Sequence, residues 1–198
     1  MSDPERSCGS CGLCCKVLDI DELSKPANRW CSHFAKGGGC TIYGSRPGVC
    51  REFQCLWLTS PGLGEEWKPN VAKFVLLERL DGQSLSVTVD DGFPQAWRRA
   101  PYYEQILAWA KERWKTNRHV VVVAGKSNIV LFPNEELEFI APDNSEFRVG
   151  YRETGGVRRP WVQIRTADGA LTDILGKPEI GAPSLFGGGV PPILRGPR

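Results

Sequence analysis

Two apolar-rich runs separated by a short polar turn are the clearest pattern along the chain. The runs are "VAKFVLLERL" (71–80) and "SLSVTVD" (84–90), and the "DGQ" between them is typical of a hairpin turn. The next run, "YYEQILAWAKERWKTN" (102–117), has apolar residues at helical spacing. Its apolar positions are Ile106, Leu107, Ala110 and Trp114. The pattern therefore predicts a β-hairpin followed by a helix.

Four further β-rich runs follow that helix. "HVVVVAG" (119–125) and "NIVLFP" (128–133) predict one strand pair, and "EFRVGYRET" (146–154) with "WVQIRTADG" (161–169) predicts two more strands. Strands and a helix in this order favour an α+β fold, with a mostly antiparallel sheet and one main packed helix. The last stretch, 176–198, is rich in glycine and proline, and we expect it to be extended or disordered.

The cysteines change this picture, because all eight lie between Cys8 and Cys55. The chain therefore divides into a small irregular cysteine module over 1–60 and a cysteine-free α+β part over 61–175. We expect a bound metal to stabilise the module. A linker rich in proline and glycine, "SPGLGEEWKPN" (60–70), begins the second part. The remaining residues form the tail.

Charge and hydropathy bear on partners and compartment. The 25 basic and 23 acidic residues are interspersed, so no block of like charge indicates nucleic acid or an anionic membrane. The start of the chain has no apolar signal region, and no apolar run approaches the roughly 20 residues of a membrane helix. We therefore expect a cytoplasmic protein that binds no nucleic acid and no membrane, with a protein partner or substrate that the sequence does not identify.

In a reducing cytoplasm, dense cysteines favour metal or catalytic roles over structural disulfides. The spacing of Cys8, Cys11 and Cys14 lets a short loop wrap one inorganic centre, and Gly9 and Gly12 suit such a loop. Buried free cysteines are the alternative, although eight in so short a segment argue against it. The predicted metal ligands are Cys8, Cys11, Cys14, Cys15, Cys31, Cys40, Cys50 and Cys55.

The spacing leaves the metal open. Structural zinc sites usually pair two CxxC knuckles or add histidines, and only the first half of this pattern has knuckle spacing. Bacterial ferredoxins continue CxxCxxC with x3-Cys-Pro, whereas here Cys15 follows Cys14 directly. Side chains of neighbouring residues diverge, so this pair indicates two centres, a polynuclear centre, or one ligand beside a free thiol. An iron–sulfur cluster is slightly favoured over zinc.

The ordered segments "CGSCGLCC", "RWCSHF" and "GGGCTIYGSRPGVCREFQC" resemble the YkgJ-like cysteine-cluster family, a zinc- or iron-chelating domain with a CxxCxxCC signature. The resemblance covers residues 8–55. It implies that the eight cysteines correspond to the eight of the family, and it implies chelation more strongly than any reaction. Some relatives are flagellin lysine methylases thought to use an iron–sulfur centre.

Other residues of the module have two interpretations each. His33 is a ninth ligand or, more simply, a surface or packing residue. Arg46 and Arg51 either balance the charge of a polythiolate site or are solvated surface charges, and the resemblance favours a structural role for both. Five aromatic residues near the cysteines form an apolar shell around a redox centre or, more simply, the core of the module. They are Trp30, Phe34, Tyr43, Phe53 and Trp57.

The cysteine-free part contains little chemistry. "AGKSN" (124–128) is similar to a phosphate-binding loop, but it lacks the first glycine of that motif. His119 has no nucleophile near it in sequence, and Asp90 and Asp91 before Gly92 are turn residues. The expected function is therefore metal chelation, with a redox or methyl-transfer-related role. The alternative is a structural zinc-binding adaptor or interaction module without catalytic activity, so the sequence leaves open whether the protein is an enzyme.

Overall fold

A computed structural model describes residues 6–79, 82–178 and 193–195 of the 198-residue chain. Within these ranges the protein has the predicted α+β fold, with three mostly antiparallel sheets and one main helix. Among the helices described, none is both long and apolar enough to cross a membrane.

The cysteine-rich part folds into short elements, as its glycines and prolines lead one to expect. Its helices and the two strands of its small sheet are α1 (Cys14–Val17), β1 (Phe34–Ala35), β2 (Gly39–Cys40), α2 (Gly48–Glu52) and α3 (Leu56–Thr59). Helix α4 (Pro69–Ala72) follows the linker. Three-residue 3₁₀ helices lie at Asp21–Leu23, Tyr43–Ser45, Glu65–Trp67 and Ala96–Arg98. Loops therefore place most of the side chains in this part.

A five-stranded sheet forms the main body, in the order β3-β4-β5-β6-β7. Its strands are β3 (Phe74–Arg79), β4 (Ser84–Val89), β5 (His119–Ala124), β6 (Ser127–Leu131) and β7 (Glu136–Ile140). The hairpin prediction is confirmed, since β3 pairs with β4 in antiparallel register from Phe74↔Val89 to Arg79↔Ser84. Residues 80 and 81, the last residue of the first predicted run and the first of the predicted turn, lie outside the described ranges.

Helix α5 (Tyr102–Trp114) connects β4 to β5, which lie parallel to each other. A parallel pair requires such a crossover, because a tight turn can join only antiparallel strands. The helix is shorter than predicted and ends before Asn117, whose φ of 56° is left-handed. A left-handed residue ends a helix by redirecting the chain, and here the amide of Arg118 donates back to the carbonyl of Arg113 at 3.0 Å.

The second sheet has the order β10-β9-β8-β11. Its strands are β8 (Glu146–Thr154), β9 (Val157–Arg165), β10 (Leu171–Leu175) and β11 (Ile193–Arg195). Strand β8 has the predicted bounds, and β9 begins earlier than predicted. Strands β7 and β10 were not predicted, although β7 alternates buried Leu137 and Phe139 with polar or exposed neighbours. Beyond 178, the predicted tail lies outside the described residues except for β11.

The cysteine-rich part and the main sheet share one hydrophobic core. Leu13 and Val17 from the first part pack in the same cluster as Phe74 and Val87 of the sheet. Trp57, with 3% of its surface exposed, belongs to that cluster too. The predicted boundary near residue 60 therefore does not separate two cores. A second cluster lies between the two larger sheets and includes Trp114, Phe132, Phe139, Phe147 and Val162.

Candidate metal centre

The first four cysteines lie on one tight loop and the short helix that follows it. The amide of Cys11 donates to the carbonyl of Cys8 at 2.8 Å. The amide of Cys15 donates to the carbonyl of Gly12 at 2.9 Å. Gly9 has a φ of 49°, as a curling loop requires. A Cβ on Gly12 would lie 1.9 Å from the Phe34 ring, so Gly12 is needed for close approach. Both glycines therefore shape the loop, for different reasons.

The other four cysteines come from separate elements. Cys31 is buried, and its amide donates to the carbonyl of Cys15 at 3.0 Å. Cys40 ends β2, Cys50 lies in α2, and Cys55 precedes α3. The backbone before Pro47 is extended, as predicted, which sets the direction of α2.

A cavity of about 190 Å³ brings most of these cysteines together. Seven of the eight line it, namely Cys8, Cys11, Cys14, Cys15, Cys31, Cys40 and Cys50. A second cavity, of about 30 Å³, shares Cys8, Cys11 and Cys14 with the first and is also lined by Cys55. The shared wall therefore joins all eight cysteines into one group, although they span residues 8 to 55. All eight are free thiols.

The thiols share these cavities without forming a preorganised ligand set. Among the described residues, no three side chains of His, Cys, Asp or Glu are grouped so that they could hold a metal ion. The donor chemistry nevertheless fits a soft metal, because thiolates are the ligands that zinc and iron–sulfur clusters use. The assignment of the eight cysteines as metal ligands therefore stays a prediction.

The thiols of Cys14 and Cys15 are hydrogen-bonded to each other within this group. A hydrogen bond from the Cys14 thiol lowers the pKa of Cys15 to about 7; burial opposes this shift, and the Lys25 ammonium reinforces it. The same hydrogen bond, together with burial, raises the pKa of Cys14. One proton is thus shared unequally between neighbours, and Cys15 is the thiol that ionises first.

Burial raises the pKa of three further cysteines, Cys8, Cys50 and Cys55. Neighbouring thiols add to each shift: Cys11 acts on Cys8, and Cys15 acts on Cys50. A metal ion binds the thiolate form, so its binding to these residues must release protons.

Polar residues around the cavity stabilise its backbone. The Arg46 guanidinium lies 3.8 Å from the ring centre of Tyr43 and donates to the carbonyl of Cys50 at 3.1 Å. Arg51 donates to the carbonyl of Arg46 at 2.8 Å, and Glu22 accepts from the amide of Val49 at 3.2 Å. These contacts give both arginines a structural role, and the charge of Arg46 also opposes the rise in the pKa of Cys8.

The five aromatic residues near the cysteines do not form a closed apolar shell. Trp30 and Tyr43 are each 51% exposed, whereas Trp57 is buried in the main core. Phe53 lines both cavities, and Phe34 stacks on Trp30 with ring centres 4.3 Å apart. Trp30 lies in a loop and Tyr43 begins a 3₁₀ helix at the surface, so each keeps about half of its surface in solvent. His33 lines the larger cavity, where its role as a ninth ligand stays open.

Sequence reasoning missed Lys16 and Lys25, which adjoin the cysteine loop. The Lys25 ammonium donates to the carbonyl of Lys16 at 2.7 Å and also to that of Leu18. Lys16 forms an ion pair with Asp91 at 2.8 Å and another with Asp90. A lysine by itself carries no sequence signal that distinguishes a buried position from an exposed one.

Comparison of the chain with protein-family models, curated proteins and solved structures gives no match. Fold and site together define an α+β protein with a cavity lined by free cysteines. The resemblance to the YkgJ-like family rests on the cysteine spacing and stays a prediction.

Proposed function

We propose that the protein binds a metal centre through its cysteine group and that this centre is an iron–sulfur cluster. The observation that supports this most directly is the convergence of seven free cysteines from distant parts of the module on one cavity. Free thiols at this density in a shared cavity are typical of soft-metal sites. When bound, an iron–sulfur cluster supplies one-electron chemistry or a Lewis-acidic iron.

Cavity size favours a cluster over one zinc ion. A cavity needs about 10–15 Å³ to hold one water molecule. At about 190 Å³, the larger cavity has room for a group of several atoms. A single tetrahedral zinc would draw four sulfurs to about 2.3 Å from its centre and use only part of this space.

The elements that carry the cysteines suit a site that closes on its metal. The cysteines lie on loops, at the end of a two-residue strand or in helices of four or five residues. Such elements adjust at a lower cost than central strands. Behind them, the shared core with Phe74 and Val75 anchors the module, so the adjustment stays local.

The proposal predicts the metal and sulfide content of the purified protein and its colour. The full chain is purified without oxygen, and its iron, zinc and acid-labile sulfide are measured per chain together with an absorption spectrum. Iron and sulfide in comparable amounts, with broad visible absorption, support the cluster. Zinc in a colourless protein would support the structural zinc module instead.

Two variants test the ligands. Cys11→Ser removes one predicted ligand from the loop, and Ser10→Ala changes its neighbour without touching a thiol. We expect Cys11→Ser to lose bound metal and Ser10→Ala to retain it, because an alcohol is a poor substitute for a thiolate. A wild-type chain that binds neither iron nor zinc after anaerobic reconstitution would contradict the proposal.

A further inference from the structure

Lys25 is a buried lysine beside the cysteine loop, with 7% of its surface exposed. Two backbone hydrogen bonds to Ile20, of 2.8 and 3.1 Å, close the turn that contains it. Ser24, in the left-handed region at a φ of 48°, reverses the chain just before Lys25. This turn directs the side chain back towards α1 and the cysteines.

The ammonium lies at the C-terminal end of α1. It donates to the carbonyls of Lys16 and Leu18, the first at 2.7 Å. Carbonyls at the end of a helix lack partners within the helix, and a cation satisfies them. These two bonds account for the position of the ammonium, but two neutral carbonyls do not balance its charge.

Three of the four groups whose charge acts on this ammonium are thiols. Cys15 has the largest effect and Cys31 the next, ahead of the carboxylate of Asp19, and Cys14 follows. Burial lowers the pKa of Lys25, and in their ionised forms all four of these groups oppose that shift. A buried ammonium is costly unless anions lie close to it, and a thiol supplies negative charge only once it is ionised, as metal binding requires.

We infer that Lys25 is a positioning residue for the metal centre, whose buried ammonium balances the negative charge that Cys14, Cys15 and Cys31 carry when they bind metal. This inference rests on the proposed function. Four thiolates on one divalent ion leave a net negative charge, and each further thiolate adds to it. Groups outside the ligand set that offset such charge tune the affinity of a metal site.

The first test measures Zn²⁺ affinity of the full, metal-free chain by competition with a chromophoric chelator under reducing conditions. Lys25→Met removes the charge and keeps the length of the side chain, whereas Lys25→Arg keeps the charge. We expect Lys25→Met to bind Zn²⁺ about 10- to 100-fold more weakly, the usual cost of losing a group that supports metal ligands. Lys25→Arg should retain most of the affinity, and exposed Lys111→Met is the matched control.

The second test needs no metal. Metal-free wild-type protein and the Lys25→Met variant are alkylated with iodoacetate, which is anionic, or with iodoacetamide, which is neutral, and the products are located by peptide mass spectrometry. A nearby ammonium favours the anionic reagent, so the ratio of the two rates at Cys15 should be lower in Lys25→Met than in the wild type. The ratio at Cys50 is the control, because the cation beside that residue, Arg46, is the same in both proteins.

The outcomes separate the two proposals. If Lys25→Met binds Zn²⁺ as well as the wild type does, or if Lys25→Arg loses as much affinity as Lys25→Met, the role of Lys25 is overturned and chelation stands. An unchanged reagent ratio at Cys15 in Lys25→Met would also overturn it. A wild type that binds no metal removes the proposed function, and the metal role of Lys25 with it.

Discussion

Lys16, the residue directly after Cys15, forms an ion pair with Asp90 at the end of β4. The Lys16 ammonium also lies 2.8 Å from the carboxylate of Asp91, and its hydrogen bond lowers the pKa of that group. Asp90 in turn accepts from the amide of Gly92 at 2.8 Å, so it is both a turn residue and an ion-pair partner. The cysteine loop is thereby attached to the main sheet by charge as well as by packing.

We predict that Asp90→Asn destabilises the protein by about 1–3 kcal/mol, because a largely buried hydrogen bond between charged groups is lost. The Asp90 side chain is 7% exposed and that of Lys16 is 16% exposed. Urea unfolding at neutral pH measures the change. Exposed Asp143→Asn is the control, and equal losses in the two variants would contradict a specific role for the pair.

Replacement of Cys15 distinguishes a ligand from a free thiol. If both neighbours bind metal, Cys15→Ser will lose metal and become as protease-sensitive over residues 8–55 as Cys11→Ser. If Cys14 alone binds, Cys15→Ser will keep its metal and its resistance. We expect the first result, because Cys15 ionises more readily than its neighbour Cys14 and a metal ion binds the thiolate form. Metal analysis with limited proteolysis gives the answer, and a fully metallated Cys15→Ser would contradict it.

Metal removal should affect the two parts of the chain unequally. Hydrogen exchange of the metal-free protein should show lost protection over residues 8–55, whose short elements have little packing of their own. Strands β4 and β5 should keep theirs, since Val87, Val120 and Val122 are fully buried. Because the core is shared, we also expect faster exchange in β3, which packs on α3 and α4. Unchanged exchange over 8–55 would contradict a structural role for the metal.

The burial of His119 predicts that the folded protein loses stability in acid. His119 is fully buried beside Trp114, and neither ring nitrogen has a hydrogen-bond partner. Burial and then the charge of Arg113 lower its pKa to about 4. The unfolded chain, with a histidine pKa of about 6.5, therefore binds the proton more readily than the folded chain does. Stability should fall as the pH drops from about 6.5 to about 4, by up to about 3 kcal/mol.

The test of His119 compares two variants in urea unfolding between about pH 7 and about pH 4.5. His119→Phe replaces the ring with one that cannot ionise and should remove most of the pH dependence in this window. His33→Asn, at the other of the two histidines in the chain, should leave this pH dependence intact. A steep loss of stability that persists in His119→Phe would show that another group is responsible.

Gly12→Ala tests the packing of the cysteine loop. The added Cβ would meet the Phe34 ring, which is held by its stacking on Trp30, so either the loop or the ring must move. We expect a loss of about 1–3 kcal/mol in thermal unfolding and reduced metal binding. Gly38→Ala is the matched control, because its Cβ would lie 3.6 Å from Ala35, an ordinary contact. Equal effects of the two substitutions would contradict this role for Gly12.

Local patterns in the sequence were sufficient for the α+β class, the β3–β4 hairpin, helix α5 and the bounds of β8. Each depends on residues near one another in the chain, whose alternation or helical spacing decides which face is buried. The cysteine spacing likewise indicated a wrapped loop, and Gly9 has the left-handed backbone that such a loop needs. Strand β10 could not be predicted in this way, because most of its residues are exposed at a sheet edge.

Only the tertiary structure decided which distant residues meet. The parallel pairing of β4 with β5 follows from the crossover of α5. The burial of Lys25 depends on a turn that brings it to the end of α1, and the Lys16–Asp90 pair joins residues 74 positions apart. Contacts of this kind form when packing of the whole chain offsets the cost of burying charge, and no local pattern encodes that balance.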